Sequence, residues 1–185
     1  TQIKDPQKGL SFEADGKLNM QLGLNSYSAE DTINKLNEKE LEKIFKFFGD
    51  EKESKFIARN IIKERLKSTI DTQTLVNIID KTKRKKNFKV HSATKVFQAL
   101  RIAVNDELGT IERVLPQALR LLAPGGVLAV ITFHSLEDRI VKHYFKKHAG
   151  TAFTILTKKP IVASEREYRD NPRARSAKLR ILKKV

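Results

Sequence analysis

The sequence predicts an α/β fold in which an all-helical unit is followed by part of a sheet, and three observations carry the prediction. Gly125-Gly126 is a turn signal, and Val127 to Ile131 is an unbroken apolar run rich in β-branched residues, the pattern of a strand covered on both faces of a parallel sheet. Residues 28 to 80 instead carry apolar residues at helical spacing. Ala152 to Leu156 and Lys178 to Leu182 have strand character and flank a long polar stretch with Pro160 and Pro172. They read as a sheet-edge pair whose connecting loop crosses toward the ligand side.

Taken in order, residues 1 to 27 hold turn signals at Asp5-Pro6, Lys8-Gly9, Asp15-Gly16 and Gly23, and read as an ordered loop. Ser28 with Asp31 makes a capping box for the first helix. Asn37 caps a second helix, with Leu41, Ile44, Phe45 and Phe48 in one stripe ending at Gly49. Ala58, Ile61, Ile62 and Leu66 mark a third, and Asp71 caps a fourth with Leu75, Ile78 and Ile79 inward. The basic stretch 81 to 90 reads as a linker, and Ser92 as the cap of a long helix bearing Val96, Leu100, Ala103 and Val104. A further stripe, Ile111 to Leu122, contains Pro116, which predicts a kink or a new first turn. After the glycine turn and strand, Ser135 and Asp138 read as a capping box that starts a helix with Ile140, Val141 and Tyr144. Strands in open α/β sheets bind ligands at their C-terminal ends, so Phe133, His134 and Ser135 mark a candidate crevice.

Composition narrows the function classes. The 185 residues are 39% hydrophobic and 32% charged, ordinary for a globular protein able to bury one good core or two small ones. No run approaches the roughly 18 apolar residues of a membrane span, and the first residues lack a basic region followed by an apolar one, so no membrane partner and a cytoplasmic location are expected. With no cysteine, and histidines only at 91, 134, 143 and 148, the chain has no metal-binding spacing, and no metal site is expected. The net charge of +15 favours a polyanionic partner such as RNA. The excess is clustered in Lys81 to Lys89, Arg139 to His148 and Arg173 to Lys184.

Six stretches, in order, give the chain a resemblance to one family. They are Gln2 to Phe12, Asp15 to Met20, His91 to Leu108, Gly125 to Arg139, Thr157-Lys-Lys-Pro160, and Asn171-Pro-Arg173-Ala-Arg175-Ser-Ala-Lys178-Leu-Arg180. They resemble the S-adenosyl-L-methionine-dependent cytosine-N4 methyltransferases of small-subunit ribosomal RNA. The resemblance implies the second half of a doubly wound, Rossmann-like class I methyltransferase sheet plus a helical insert. It divides the chain into an active-site loop (1–27), an RNA-recognition insert (28–90) and the C-terminal half of the methyltransferase domain (91–185). It also implies that the glycine-rich cofactor turn and the ribose-binding acid belong to an N-terminal half not in these residues, so that the fragment alone is inactive. Gln2 alone maps to a cofactor-binding position. Where the family usually reads Asp-Gly-Pro-Leu-Asp-Met-Arg, this chain has Asp15-Gly-Lys-Leu-Asn19-Met20-Gln21, which removes two charges beside the expected substrate.

Methyl transfer to an exocyclic amine is an in-line displacement that needs alignment, an acceptor to orient the amine and an unstacked base, but no strong base. His134 and Ser135 are the candidate catalytic residues, orienting the target base or the methionine moiety, and Phe133 is placed to stack on a base. The plain alternatives are a core phenylalanine and a helix-capping serine. Arg101 and Asn105, four apart on one helical face, and Arg173, Arg175, Lys178 and Arg180, in and after a proline-containing loop, are candidate contacts to 16S ribosomal RNA in the small subunit. A solvated surface is the alternative for each. An unpaired edge on strand 127–131 predicts self-association or pairing with the N-terminal half. A different class remains open, a basic non-catalytic RNA-binding or ribosome-assembly module.

Overall fold

The computed structural model describes residues 8–11, 17–23, 25–84 and 91–185. The fold is mixed, with helices and one small antiparallel sheet, and it divides into two compact units, Thr1–Glu107 and Leu108–Val185. Among the described residues no helix is long and apolar enough to cross a membrane.

The first unit holds α1 (Ala29–Lys35), α2 (Glu38–Gly49), α3 (Ser54–Arg65), α4 (Thr72–Thr82) and α5 (Thr94–Asn105). The predicted caps at its first two helices are present: Ser28 with Asp31, and Asn37 with Glu40, each exchange side-chain and backbone hydrogen bonds as capping boxes. Asp71 caps α4 through the Thr74 N–H. The predicted stripes meet in one core, with Leu41, Phe45, Ile57, Ile61, Leu75, Ile79, Val96 and Leu100 buried together. Leu66 is the exception, lying past the end of α3 and largely exposed.

Sequence boundaries had placed α5 with the C-terminal half, whereas the structure groups it with the helical unit. The reason is a close approach: a Cβ at Gly49 would lie 2.5 Å from the Lys95 carbonyl oxygen and 3.2 Å from the Ala99 Cβ, so only glycine lets α2 and α5 meet at this depth. Ser92, expected to cap α5, instead donates its hydroxyl to the Asp80 carboxylate, and α5 begins at Thr94 after an N-cap, Ala93, that gives no side-chain hydrogen bond. Within the basic stretch, Lys83 turns inward, its ammonium 2.6 Å from the buried Glu51 carboxylate and donating to the Ser92 carbonyl. Residues 85–90, with Lys85, Lys86 and Lys89 of that cluster, lie outside the described residues.

The second unit takes all but the first residue of α6 (Glu107–Leu121), then β1 (Val127–Thr132), α7 (Ser135–His148), β2 (Phe153–Ile155), β3 (Ile161–Val162), α8 (Glu165–Asp170), a 3-10 turn (Pro172–Ser176) and β4 (Lys178–Lys184). Pro116 sits inside α6 with the helix continuous across it. The strand order is β1-β4-β2, and β3 also pairs with β4. Every pairing is antiparallel, with Val130 opposite Arg180 and Ile155 opposite Leu182. β4 therefore runs through the middle of the sheet rather than along its edge. Between β2 and β3, Thr157 continues the ladder by accepting the Ile181 N–H at 2.8 Å.

One face of this sheet packs on the helices: Leu128, Val130, Phe153, Ile155 and Leu182 meet Leu115 and Leu119 of α6 and Val141 and Phe145 of α7. The other face is open, with Val127 49%, Ile131 59% and Ile161 51% exposed. The apolar run had predicted cover on both faces. The described residues cover one, and β1 keeps an unpaired outer edge among them.

Candidate active site at the end of β1

Thr132, the last residue of β1, is buried, and the chain leaves the sheet into α7 through Phe133 and His134. The sequence placed the capping box at Ser135 and Asp138, and the structure moves it one residue back. His134 is the N-cap in extended conformation, its Nδ1 accepting the Glu137 N–H at 3.4 Å. Glu137 returns the contact, one carboxylate oxygen accepting the Phe133 N–H at 2.7 Å and the His134 N–H at 3.1 Å. His134 Nε2 lies 3.3 Å from the other oxygen. Glu137 was not among the expected site residues. The pattern His134-x-x-Glu137 is an N-cap to N3 pair, the signal that would have found it.

This cap fixes what the turn displays. Phe133 is 54% exposed although its backbone is held by Glu137, and the Ser135 side chain is exposed on the first helical residue. The first-turn N–H groups of Ser135 and Leu136 have no partner among the described residues and add the positive end of the α7 dipole.

Asp138, released from the expected capping role, anchors the turn to the sheet. It accepts from Arg180 at both oxygens, at 2.7 and 3.1 Å, with Lys178 3.6 Å away. Both partners are buried, so the Arg180 guanidinium, with the adjacent Lys178 ammonium, holds the Asp138 carboxyl below its ordinary range against the opposing effect of burial. Arg180, expected to contact RNA, is thus occupied within the fold. Arg173 and Arg175 are exposed on the 3-10 turn, and Lys178 is half-buried.

In the first unit, Arg101 forms a bidentate pair with Glu107 at 2.7 and 3.1 Å. Asn105 is fully engaged. Its oxygen accepts from the Leu22 N–H and the Asn25 amide, each at 2.8 Å, and its amide donates to the Met20 and Arg101 carbonyls. It fastens the loop that contains the two departures from the family pattern. Asn19 accepts the Gln21 N–H, and the Gln21 side-chain amide donates to the Asn25 carbonyl, so both neutral residues shape the loop itself. Gln2, like Asp15 and Gly16, lies outside the described residues.

A cofactor fit can be judged from the groups left unengaged. The exposed Phe133 ring, the Ser135 hydroxyl and the two helix N–H groups suit a flat base and the carboxylate end of S-adenosylmethionine. Both oxygens of Asp138 and those of Glu137 are already held, so neither is free to pair with ribose hydroxyls. The groups left unengaged at this turn thus suit a stacked base and a carboxylate.

Comparison with known proteins adds a family and close relatives. The family described as the MraW methylase family matches residues 1–185. A ribosomal RNA small subunit methyltransferase H of Deinococcus radiodurans is 47% identical over 181 residues, covering 97% of this chain and 57% of that protein. Proteins of the same name from Methylobacterium nodulans and Maricaulis maris are 45% and 43% identical over 198 residues, again covering 97% of the chain and 58% and 59% of their own lengths. The chain thus spans less than two thirds of the relatives it matches.

Proposed function

The chain belongs to the MraW methylase family, and from that membership we propose that it forms part of an S-adenosyl-L-methionine-dependent methyltransferase acting on N4 of a decoding-site cytosine in 16S ribosomal RNA. The observation that carries the reading is the exposed Phe133 ring at the end of β1, on a turn whose backbone Glu137 holds, in a chain whose relatives are named as ribosomal RNA methyltransferases. The small ribosomal subunit is the proposed partner, in the cytoplasm where such subunits are modified. In the complete protein the sheet is doubly wound, and the unpaired edge of β1 with its apolar outer face is where the remaining strands, or a second copy of the chain, attach.

The cofactor supplies an electrophilic methyl group on a sulfonium. What this chain contributes is alignment. Phe133 stacks on the extruded cytosine, and the Ser135 hydroxyl accepts a hydrogen bond from the exocyclic amine, which turns the amine lone pair toward the methyl. His134 acts as a positioning residue, since its ring closes the cap that orients both neighbours. Arg173 and Arg175 meet phosphates, while Arg180, through Asp138, ties β4 to the first turn of α7. The described carboxylates at the end of β1, Glu137 and Asp138, are engaged within the fold, so this turn does not itself supply a ribose-binding acid.

Methyl transfer from labelled S-adenosylmethionine to unmodified small subunits tests the reading, using a protein that carries this chain at the length of its relatives. Phe133→Ala is expected to lower kcat/KM by roughly 5- to 150-fold, the equivalent of about 1–3 kcal/mol of base stacking. The 185-residue chain alone is expected to transfer nothing. Unchanged kcat/KM in the variant, or transfer by the chain alone, contradicts the arrangement.

A further inference from the structure

The sequence carries a basic run in α7 that the site at β1 does not use. Lys142 and Lys146 lie one turn apart on the exposed face of that helix, and past its first turn α7 has no acidic residue. Across from them, Lys158 follows β2. The three lysines rim a cleft of about 230 Å³ whose floor is Phe145, Ile155 and Thr157. The Arg180 guanidinium closes one side, neutralised by Asp138. No carboxylate lines the cleft, and none of the three ammonium groups has an ion-pair partner among the described residues.

We propose that this cleft is a second RNA-binding groove, in which Lys142, Lys146 and Lys158 grip consecutive phosphates of single-stranded ribosomal RNA while a ribose or base edge rests on the apolar floor. The inference deepens the proposed function and rests on it. Three like charges around one small opening repel each other unless a polyanion is shared between them. The volume is below the roughly 300–1,000 Å³ of ordinary small-molecule sites and suits one sugar-phosphate unit of a strand that continues outside the cleft. An apolar floor beneath a cationic rim is the pairing by which strands are held without reading sequence.

The test is fluorescence anisotropy of the full chain with a labelled single-stranded RNA oligonucleotide, repeated across salt concentrations. The triple variant Lys142→Gln, Lys146→Gln, Lys158→Gln is expected to bind more weakly, with the salt slope reduced by about 2, from three lost contacts at about 0.7 each. Replacing the same lysines by arginine is expected to keep the wild-type slope. Circular dichroism of the glutamine variant should match wild type, because all three side chains are exposed. A wild-type slope in a folded glutamine variant overturns the groove and leaves the methyltransferase reading standing. No RNA binding by the wild-type chain overturns the groove, while methyl transfer by a protein of its relatives' length decides the methyltransferase reading separately. Polyglutamate held as tightly as RNA, and released by the same substitutions, replaces RNA with an acidic protein as the occupant.

Discussion

Asp138→Ala is expected to destabilise the second unit by about 3–5 kcal/mol, because it strands the Arg180 guanidinium inside the fold. The cost arises from an uncompensated buried charge rather than from the net worth of the pair. The double replacement Asp138→Leu with Arg180→Met is accordingly expected to recover most of the loss. The same pair gives the stability a definite dependence on pH. Asp138 has a folded pKa below its unfolded value, so its contribution is fully present above the unfolded value of about 3.9 and disappears as the pH falls through the folded one. Urea unfolding of wild type and Asp138→Asn should show a stability gap that is constant near neutrality and closes in acid below about pH 4. A gap that persists unchanged into acid contradicts the assignment. Since Asp138 lies in the first turn of α7 and Arg180 opposite Val130, losing the tie also loosens the turn that presents Phe133.

Phe45→Ala should cost the helical unit a similar amount, about 3–5 kcal/mol, for a different reason. Phe45 is fully buried at the centre of α2, where the Gly49 approach draws α5 in close. Removing the ring leaves a cavity that the tightly seated helices cannot collapse into. Denaturant unfolding followed by helical circular dichroism reads the effect, and a midpoint within error of wild type contradicts this view of the core.

The helices of the first unit were legible because their signals are local: side-chain caps at Ser28, Asn37 and Asp71, and apolar stripes at helical spacing. What sequence spacing missed was decided by partners far along the chain. Ser92 and Ser135 each have the composition of a cap, yet Ser92 finds Asp80 and the cap at Ser135 falls to its neighbour His134. Arg180 reads as an exposed cation in a basic segment until β4 pairs with β1 and brings it beneath Asp138. Val127 to Ile131 reads the same whether one face or two are covered, because an unbroken apolar run has no periodicity with which to distinguish them. At the site, Phe133, His134 and Ser135 were visible as the end of a strand, whereas Glu137, which holds the turn, was hidden behind the equally plausible spacing of Ser135 and Asp138.

The central claim is that this turn presents one cytosine amine for methylation. The direct measurement is mass spectrometry of nucleosides from unmodified small subunits after incubation with S-adenosylmethionine and a protein carrying the chain at its relatives' length. The account predicts N4-methylated cytidine at a single 16S position, reduced by Phe133→Ala. Methyl groups on another base or another atom of cytosine, or none at all, would contradict it.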